Sequence, residues 1–199
     1  MTYFNFIVFV LFASSSLQNW DLVRDEDNII VYQQISEETR IHEYKAEAVI
    51  NTPIDSLYKF FLDFDNYHCW IPSCIESKLM LSNSDTAFVY YARYDLPWPF
   101  ADRDAFSLIT IKRTNNFIEV VSKPYVTNEE AIYKGIVRVK EYKEHYRLER
   151  ISNNEVKFHM QGMYNPGGYI PAWLANKFIK YGPFDVIKSI EKASKLPLN

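Results

Sequence analysis

The chain has 199 residues, enough for one domain with a full core and too few for two ordinary ones. It is 48% hydrophobic and 24% charged, a globular balance, and its 15 tyrosines and 14 phenylalanines raise the aromatic share to 17%. With a formal net charge of -3 and its basic residues dispersed, it argues against a surface built to neutralise nucleic-acid phosphates.

Along the chain, Tyr3 to Ala13 (YFNFIVFVLFA) is almost unbroken apolar sequence, followed by SSSLQ before the first charged side chain, Asp21. The run is shorter than the roughly 20 residues a bilayer span takes and suits the apolar core of a secretory leader. Ala13 and Ser15 offer small residues for cleavage, and no Lys or Arg precedes the run, so the terminal amine alone supplies the positive start. The expected division is a signal peptide over residues 1–19 and one domain over 20–199, in a protein that is periplasmic or secreted. The alternative is a cytoplasmic protein whose N-terminus is a buried or lipid-surface helix.

The first strand expected is Asn28 to Ile35, and the second, Ile41 to Ile50, places Tyr44, Ala46, Ala48 and Ile50 on one side with Glu43, Lys45 and Glu47 opposite. The period then changes. Thr52 can cap a helix, Pro53 suits its first turn, and Leu57, Phe60, Phe61 and Phe64 fall at helical spacing in a segment running to Tyr67. Cys69 and Cys74 follow in YHCWIPSCIES; in an oxidising compartment they can close a small disulfide loop, and two separate thiols fit the spacing as well. His68 stands beside them, but no second pair of ligands lies at metal spacing, so no zinc site is expected.

From Glu76 a series of strands follows: SKLMLSNSD, TAFVYYARYDL, DAFSLITIKR, NFIEVVSKP, GIVRVKEY, HYRLERI and EVKFHMQGMY, with short polar connections that make neighbours antiparallel. LPWPFADRD, Leu96 to Asp104, interrupts them, and its prolines withhold backbone donors and keep Trp98 out of a ladder. The basic residues from Lys134 to Arg150 alternate with apolar ones and read as the solvated face of strands. After NPGGYIP, Trp173, Leu174, Ala175, Phe178, Ile179, Val186, Ile187 and Ile190 recur at three and four residues, a long helix with Gly182 and Pro183 as its bend. Segregated strands and helices of this kind give an α+β domain with an antiparallel sheet.

Candidate chemistry is sparse. Arg93 shares strand parity with Tyr91 and Asp95, a polar spot if that side faces inward, since a charge inside an apolar space needs a partner. Arg103 is the better charged candidate by position, and its structural alternative is a pairing with Asp102, Asp104 or another loop carboxylate. His42, His68, His145 and His159 are scattered over different elements, and no nucleophile elbow, phosphate loop or dinucleotide turn occurs. No cofactor and no catalytic residue is expected.

Four pieces, WDLVRDEDNIIVYQQ, DNYHCWIPS, PWPFADRDAF and PGGYIPAWLANKF, resemble in order and spacing the START family, the lipid-transfer domains of helix-grip fold, over nearly the whole chain after Trp20. The resemblance implies a curved antiparallel sheet wrapped around a long C-terminal helix, enclosing a hydrophobic tunnel for one lipid, in a monomer that touches membranes transiently. By position, Arg103 and Asp104 match the family's Arg-Asp after the loop that guards the tunnel, so Leu96 to Asp102 is that loop. Tyr169, Ile170, Pro171, Trp173 and Leu174 match the segment opening the final helix, the other lip. With Tyr91 and Arg93 added from strand parity and Phe178 from the helical stripe, the expected ligand-binding residues are Tyr91, Arg93, Trp98, Arg103, Tyr169, Trp173, Leu174 and Phe178. Some sterol-carrying members have a further arginine six residues after the Arg-Asp arginine; here that position is Ile109, so sterol is not specifically implied. Related helix-grip proteins include cyclases, which makes a small-molecule enzyme the runner-up. An interaction module docking through the aromatic loop is the third reading.

Overall fold

The structure, a computed structural model, describes residues 20–35, 42–126 and 133–194. The expected signal peptide, residues 1–19, lies outside the described residues, so the fold is built from Trp20 onward. Ten strands form one sheet: β1 (Asp21–Glu26), β2 (Ile29–Ile35), β3 (His42–Ile50), β4 (Cys74–Ser84), β5 (Ala87–Tyr94), β6 (Asp102–Arg113), β7 (Phe117–Pro124), β8 (Ile136–Arg138), β9 (Glu141–Arg150) and β10 (Val156–Asn165). Two α-helices, α1 (Ile54–Leu62) and α2 (Ala172–Ala193), complete the α+β architecture.

The strand order is β1-β2-β3-β10-β9-β7-β6-β5-β4, antiparallel throughout, with β8 added in parallel beside β6. Pairing of β3 with β10 brings the first strands against the last one, so the meander curls, and β1 and β4 remain as edges of an open sheet. Helix α2 lies against β2 and β3. It buries Leu174, Ile179, Phe184, Ile187 and Ile190 on its sheet-facing side, the 3.6-residue stripe expected of it.

Four departures from the sequence expectations have physical causes. Strand β1 was not expected, because DLVRDE shows neither alternation nor an apolar run; it is a largely exposed edge strand, where charges are tolerated. Its hairpin to β2 turns on Asp27 and Asn28, with φ of 53° and 60°, a two-residue turn that favours these residue types. The expected helix to Tyr67 stops at Leu62. The Asp63 carboxylate accepts two bonds from Asn66 Nδ2, at 2.9 and 3.0 Å, and the chain continues as a 3-10 helix over Phe64–Cys69. Thr52 does not cap α1: its hydroxyl meets that of Ser194 at 3.0 Å, tying the start of α1 to the end of α2.

The fourth departure concerns GIVRVKEY and HYRLERI, which divide at a different place. Ile136–Arg138 pairs with Asp102 to Asp104 as β8, and β9 runs unbroken from Glu141. A three-residue parallel bridge is fixed by contact with a distant strand, and no local pattern announces it.

Candidate functional site

Between the inner face of the sheet and α2 lies a cavity of about 610 Å³, within the range of small-molecule sites. Alternate residues of five strands form its wall. They are Tyr90 and Tyr94 of β5, Ala105, Ser107 and Ile109 of β6, Val120 and Ser122 of β7, Tyr142, Glu144 and Tyr146 of β9, and Met160 and Tyr164 of β10. Leu174, Phe178, Ile179 and Val186 of α2 roof it. Lys177, Tyr181 and Asp185 of the same helix also border it, so the cavity is largely apolar along α2 apart from two charged residues, and rich in hydroxyls along its floor.

Register explains how the polar groups meet. Ser122 pairs with Glu144, Glu144 with Gly162, and Gly162 with Tyr44, so these four lie in one row across β7, β9, β10 and β3. Gly162 has no side chain in that row, and Tyr44 uses the space: a Cβ on Gly162 would stand 2.7 Å from the Tyr44 hydroxyl and 2.8 Å from the Lys143 carbonyl. Tyr44 thereby reaches across to donate its hydroxyl to Glu144 Oε1 at 3.0 Å, and Tyr146 donates to Oε2 at 2.9 Å. In the neighbouring tier Tyr142 donates to Ser107 Oγ, while Ser122 Oγ is buried without a hydrogen-bond partner.

Electrostatics ties these groups together. Burial raises the Glu144 pKa above the ordinary carboxylate value, and the hydrogen bonds from Tyr146 and Tyr44 pull in the opposite direction without cancelling it. Burial likewise raises Tyr44, Tyr146, Tyr90 and Tyr94, and the Glu144 charge adds to each. Tyr67 and Tyr164 respond in the same sense, and Tyr142 is pushed up to about 12. One carboxyl is thus felt by seven tyrosines around a single space.

The residues singled out from the sequence divide into several groups. Leu174 and Phe178 line the cavity. Tyr91 and Arg93 do not: they project from the opposite face of β5, where Tyr91 packs on Phe106 and Tyr133, and Arg93 Nε donates to Asp102 at 2.9 Å. The inward residues of β5 are their neighbours Tyr90 and Tyr94, one position out of phase with the expected spot. Trp98 is 92% exposed and Tyr169 is 86% exposed; the loop side chain that reaches the cavity is Leu96, with Pro97 beside it. Trp173 belongs to α2, and its side chain lies outside the described residues. Cys69 is exposed and Cys74 buried, both as free thiols, so the disulfide does not form in this structure; the Cys74 thiol donates to the Glu76 carbonyl, and burial pushes its pKa up to about 11.

Arg103 takes none of the carboxylate partners expected for it. It is buried at the end of the inner face of β6, where Nε donates to the Pro166 carbonyl at 3.1 Å and Nη2 to the Gly167 carbonyl at 2.9 Å, while Nη1 donates to the Ala101 carbonyl. Ala101 closes the Leu96 loop, and Pro166 and Gly167 open the approach to α2. A single guanidinium therefore holds both lips of the cavity. Asp104, on the other face, pairs instead with Arg138 in a two-point fork at 2.6 and 2.9 Å.

Glu144 was not singled out from the sequence. The signal was present in KEYKEHYRLER, where the parity holding Tyr142, Tyr146 and Leu148 also holds Glu144. A carboxylate in phase with apolar residues is a buried acid or a break in the pattern, and only the register across β10 to Tyr44 decides which.

The START domain family model matches residues 7–197. The rat phosphatidylcholine transfer protein is 28% identical over 88% of this chain and 83% of its own length. An uncharacterized protein of Pseudomonas aeruginosa is 26% identical over 98% of this chain and 96% of its own. Among solved structures, a fragment of the STAR-related lipid transfer protein of Xanthomonas axonopodis superposes with a TM-score of 0.80 at 27% identity, covering 89% of this chain and 99% of that one.

Proposed function

The chain belongs to the START domain family, and from that premise we propose that it binds one lipid in the cavity beneath α2 and carries it between membranes. Two of the named relatives are lipid transfer proteins, and the observation that carries the reading here is the cavity itself, roofed largely by apolar side chains of α2. Burying acyl chains in it would supply affinity at roughly 25 cal/mol per Å² of apolar surface. No covalent step is needed, and the cyclase and interaction-module readings gain nothing from these relatives.

Entry requires the two lips to part. Trp98 and Tyr169 stand exposed on them and Leu96 and Pro97 face inward, so the loop presents an aromatic ring to the outside and an apolar wall to the ligand. Exposed aromatic side chains of this kind suit the interfacial layer of a membrane. In this reading Trp98 meets the bilayer and Arg103 is the shared anchor about which the lips open. Export is part of the proposal, resting on the apolar run Tyr3 to Ala13; the family match begins at residue 7, inside that run. Sequencing the N-terminus of the protein made in its own host distinguishes a cleaved leader from a first helix of the domain.

Native mass spectrometry of the protein from that host, followed by extraction, tests the central reading. A stoichiometric lipid is expected; a turned-over small molecule would favour the enzyme, and a persistently empty protein that also fails to take lipid from vesicles would overturn lipid carriage. Trp98→Ala is expected to slow uptake from vesicles several-fold with an unchanged melting temperature, and unchanged uptake would remove Trp98 from the gate.

A further inference from the structure

Glu144 is a charged group on the wall of a lipid cavity, and its hydrogen bonds account for only part of what it needs. Each carboxylate oxygen receives one tyrosyl proton, from Tyr44 and Tyr146, which is the arrangement an ionised carboxylate takes. Hydroxyl dipoles do not neutralise a charge, and a carboxylate away from water is costly unless a cation stands near it. Among the described residues no lysine, arginine or histidine forms an ion pair with Glu144; its direct partners are hydroxyls. Beside it in the same row, Ser122 Oγ is buried with no partner of its own, a donor and acceptor left over on the cavity wall. Tyrosine rings surround the place, and their faces attract cations.

Building on the lipid-carrier reading, we infer that Glu144 receives a positively charged nitrogen of the ligand's headgroup, so that the cavity selects lipids bearing an ammonium group over anionic and uncharged ones. The cation supplies the charge that the direct partners of Glu144 lack, Tyr90 and Tyr142 line the same cavity, and Ser122 stands beside Glu144 in position to bond an oxygen of the same headgroup. Tyr44 and Tyr146 act as positioning residues: they fix the carboxylate plane and have no charge to offer. An anionic headgroup placed here would face the carboxylate with no cation among the direct partners of Glu144, which costs more than leaving the cavity with acyl chains alone.

The test uses the full chain and vesicles in which a minor lipid of fixed dioleoyl chains differs only in its headgroup. Phosphatidylcholine carries the cation, phosphatidic acid keeps the phosphate without it, and diacylglycerol has neither. The wild-type protein is expected to extract phosphatidylcholine about tenfold or more in preference to the other two. Glu144→Gln keeps the shape and one acceptor oxygen and is expected to lose that preference while taking up diacylglycerol as the wild type does. A wild type without the preference, or a preference that survives Glu144→Gln, overturns the assignment. Uptake of diacylglycerol but not of phosphatidylcholine would sink the headgroup inference and leave lipid carriage standing, whereas uptake of none of the three would sink both. If the variant does not fold, a wild type that lacks the preference still overturns the assignment.

Discussion

The two faces of the sheet treat charge in opposite ways. On the outer face, charged side chains meet opposite charges: Arg93 with Asp102, Asp104 with Arg138, Arg147 with Glu149. At the cavity and its lips, two inward charges meet only neutral groups among the described residues: Arg103 meets three carbonyls and Glu144 two hydroxyls. The outer pairs are self-sufficient and can be read as architecture. The inner charges lack a charged partner, one holding the two lips by backbone oxygens and the other matched, in our proposal, by a ligand. Charge left unmatched inside a protein marks the place where something else is meant to arrive.

Breaking that contrast should cost most where the charge is deepest. Asp104→Ala removes the partner from a buried fork and is expected to lose about 4 kcal/mol of stability by chemical denaturation. Arg103→Ala strips the donor from three carbonyls and should lose about 3 kcal/mol, with hydrogen exchange rising in the Leu96–Ala101 and Pro166–Gly168 segments first. If exchange rises evenly over the whole sheet instead, the guanidinium is a general core group and not the anchor of the lips. Gly162→Ala should lose about 2 kcal/mol, because the new Cβ collides with the Lys143 carbonyl as well as the Tyr44 hydroxyl.

A smaller effect with a distinctive pH signature belongs to Glu144. Its pKa in the folded, empty protein lies above the ordinary value of 4.5 that it regains on unfolding. Between those two values the folded state keeps a proton that the unfolded state has lost, so stability falls as pH rises through the window and levels off above the folded value. Denaturant midpoints measured from about pH 4 to pH 8 on wild type and Glu144→Gln should show that decline in the first and its reduction in the second. A decline of equal size in both would assign it to another group. At the far end, Arg93→Ala breaks an outer pair whose arginine is well exposed, and the melting temperature is expected to stay where it was.

Much of the layout is legible without coordinates. Alternation in His42–Ile50 places Tyr44, Ala46, Ala48 and Ile50 on one buried side, and the helical stripe of Leu174, Ile179, Ile187 and Ile190 faces the sheet as its spacing requires. The resemblance carried by PWPFADRDAF and PGGYIPAWLANKF extended this to the fold and to the lips, and the lips prove to be joined through Arg103. The cavity floor was less accessible. Tyr90 and Tyr94 share β5 with Tyr91 and Arg93, and both parities carry aromatic residues because the outer face of β5 is itself covered, Tyr91 lying beneath Tyr133.

The sequence alone determined which side chains travel together, since a period of two or of 3.6 is a property of the backbone and survives any packing. It determined that Tyr142, Glu144 and Tyr146 share one side of a strand. Only the tertiary structure decided that this side faces inward and that Tyr44, 100 residues earlier, passes over Gly162 to meet Glu144. The physical reason is that parity has no sign. Which face is buried depends on what lies across it, and what lies across β9 is a strand and a helix from the two ends of the domain.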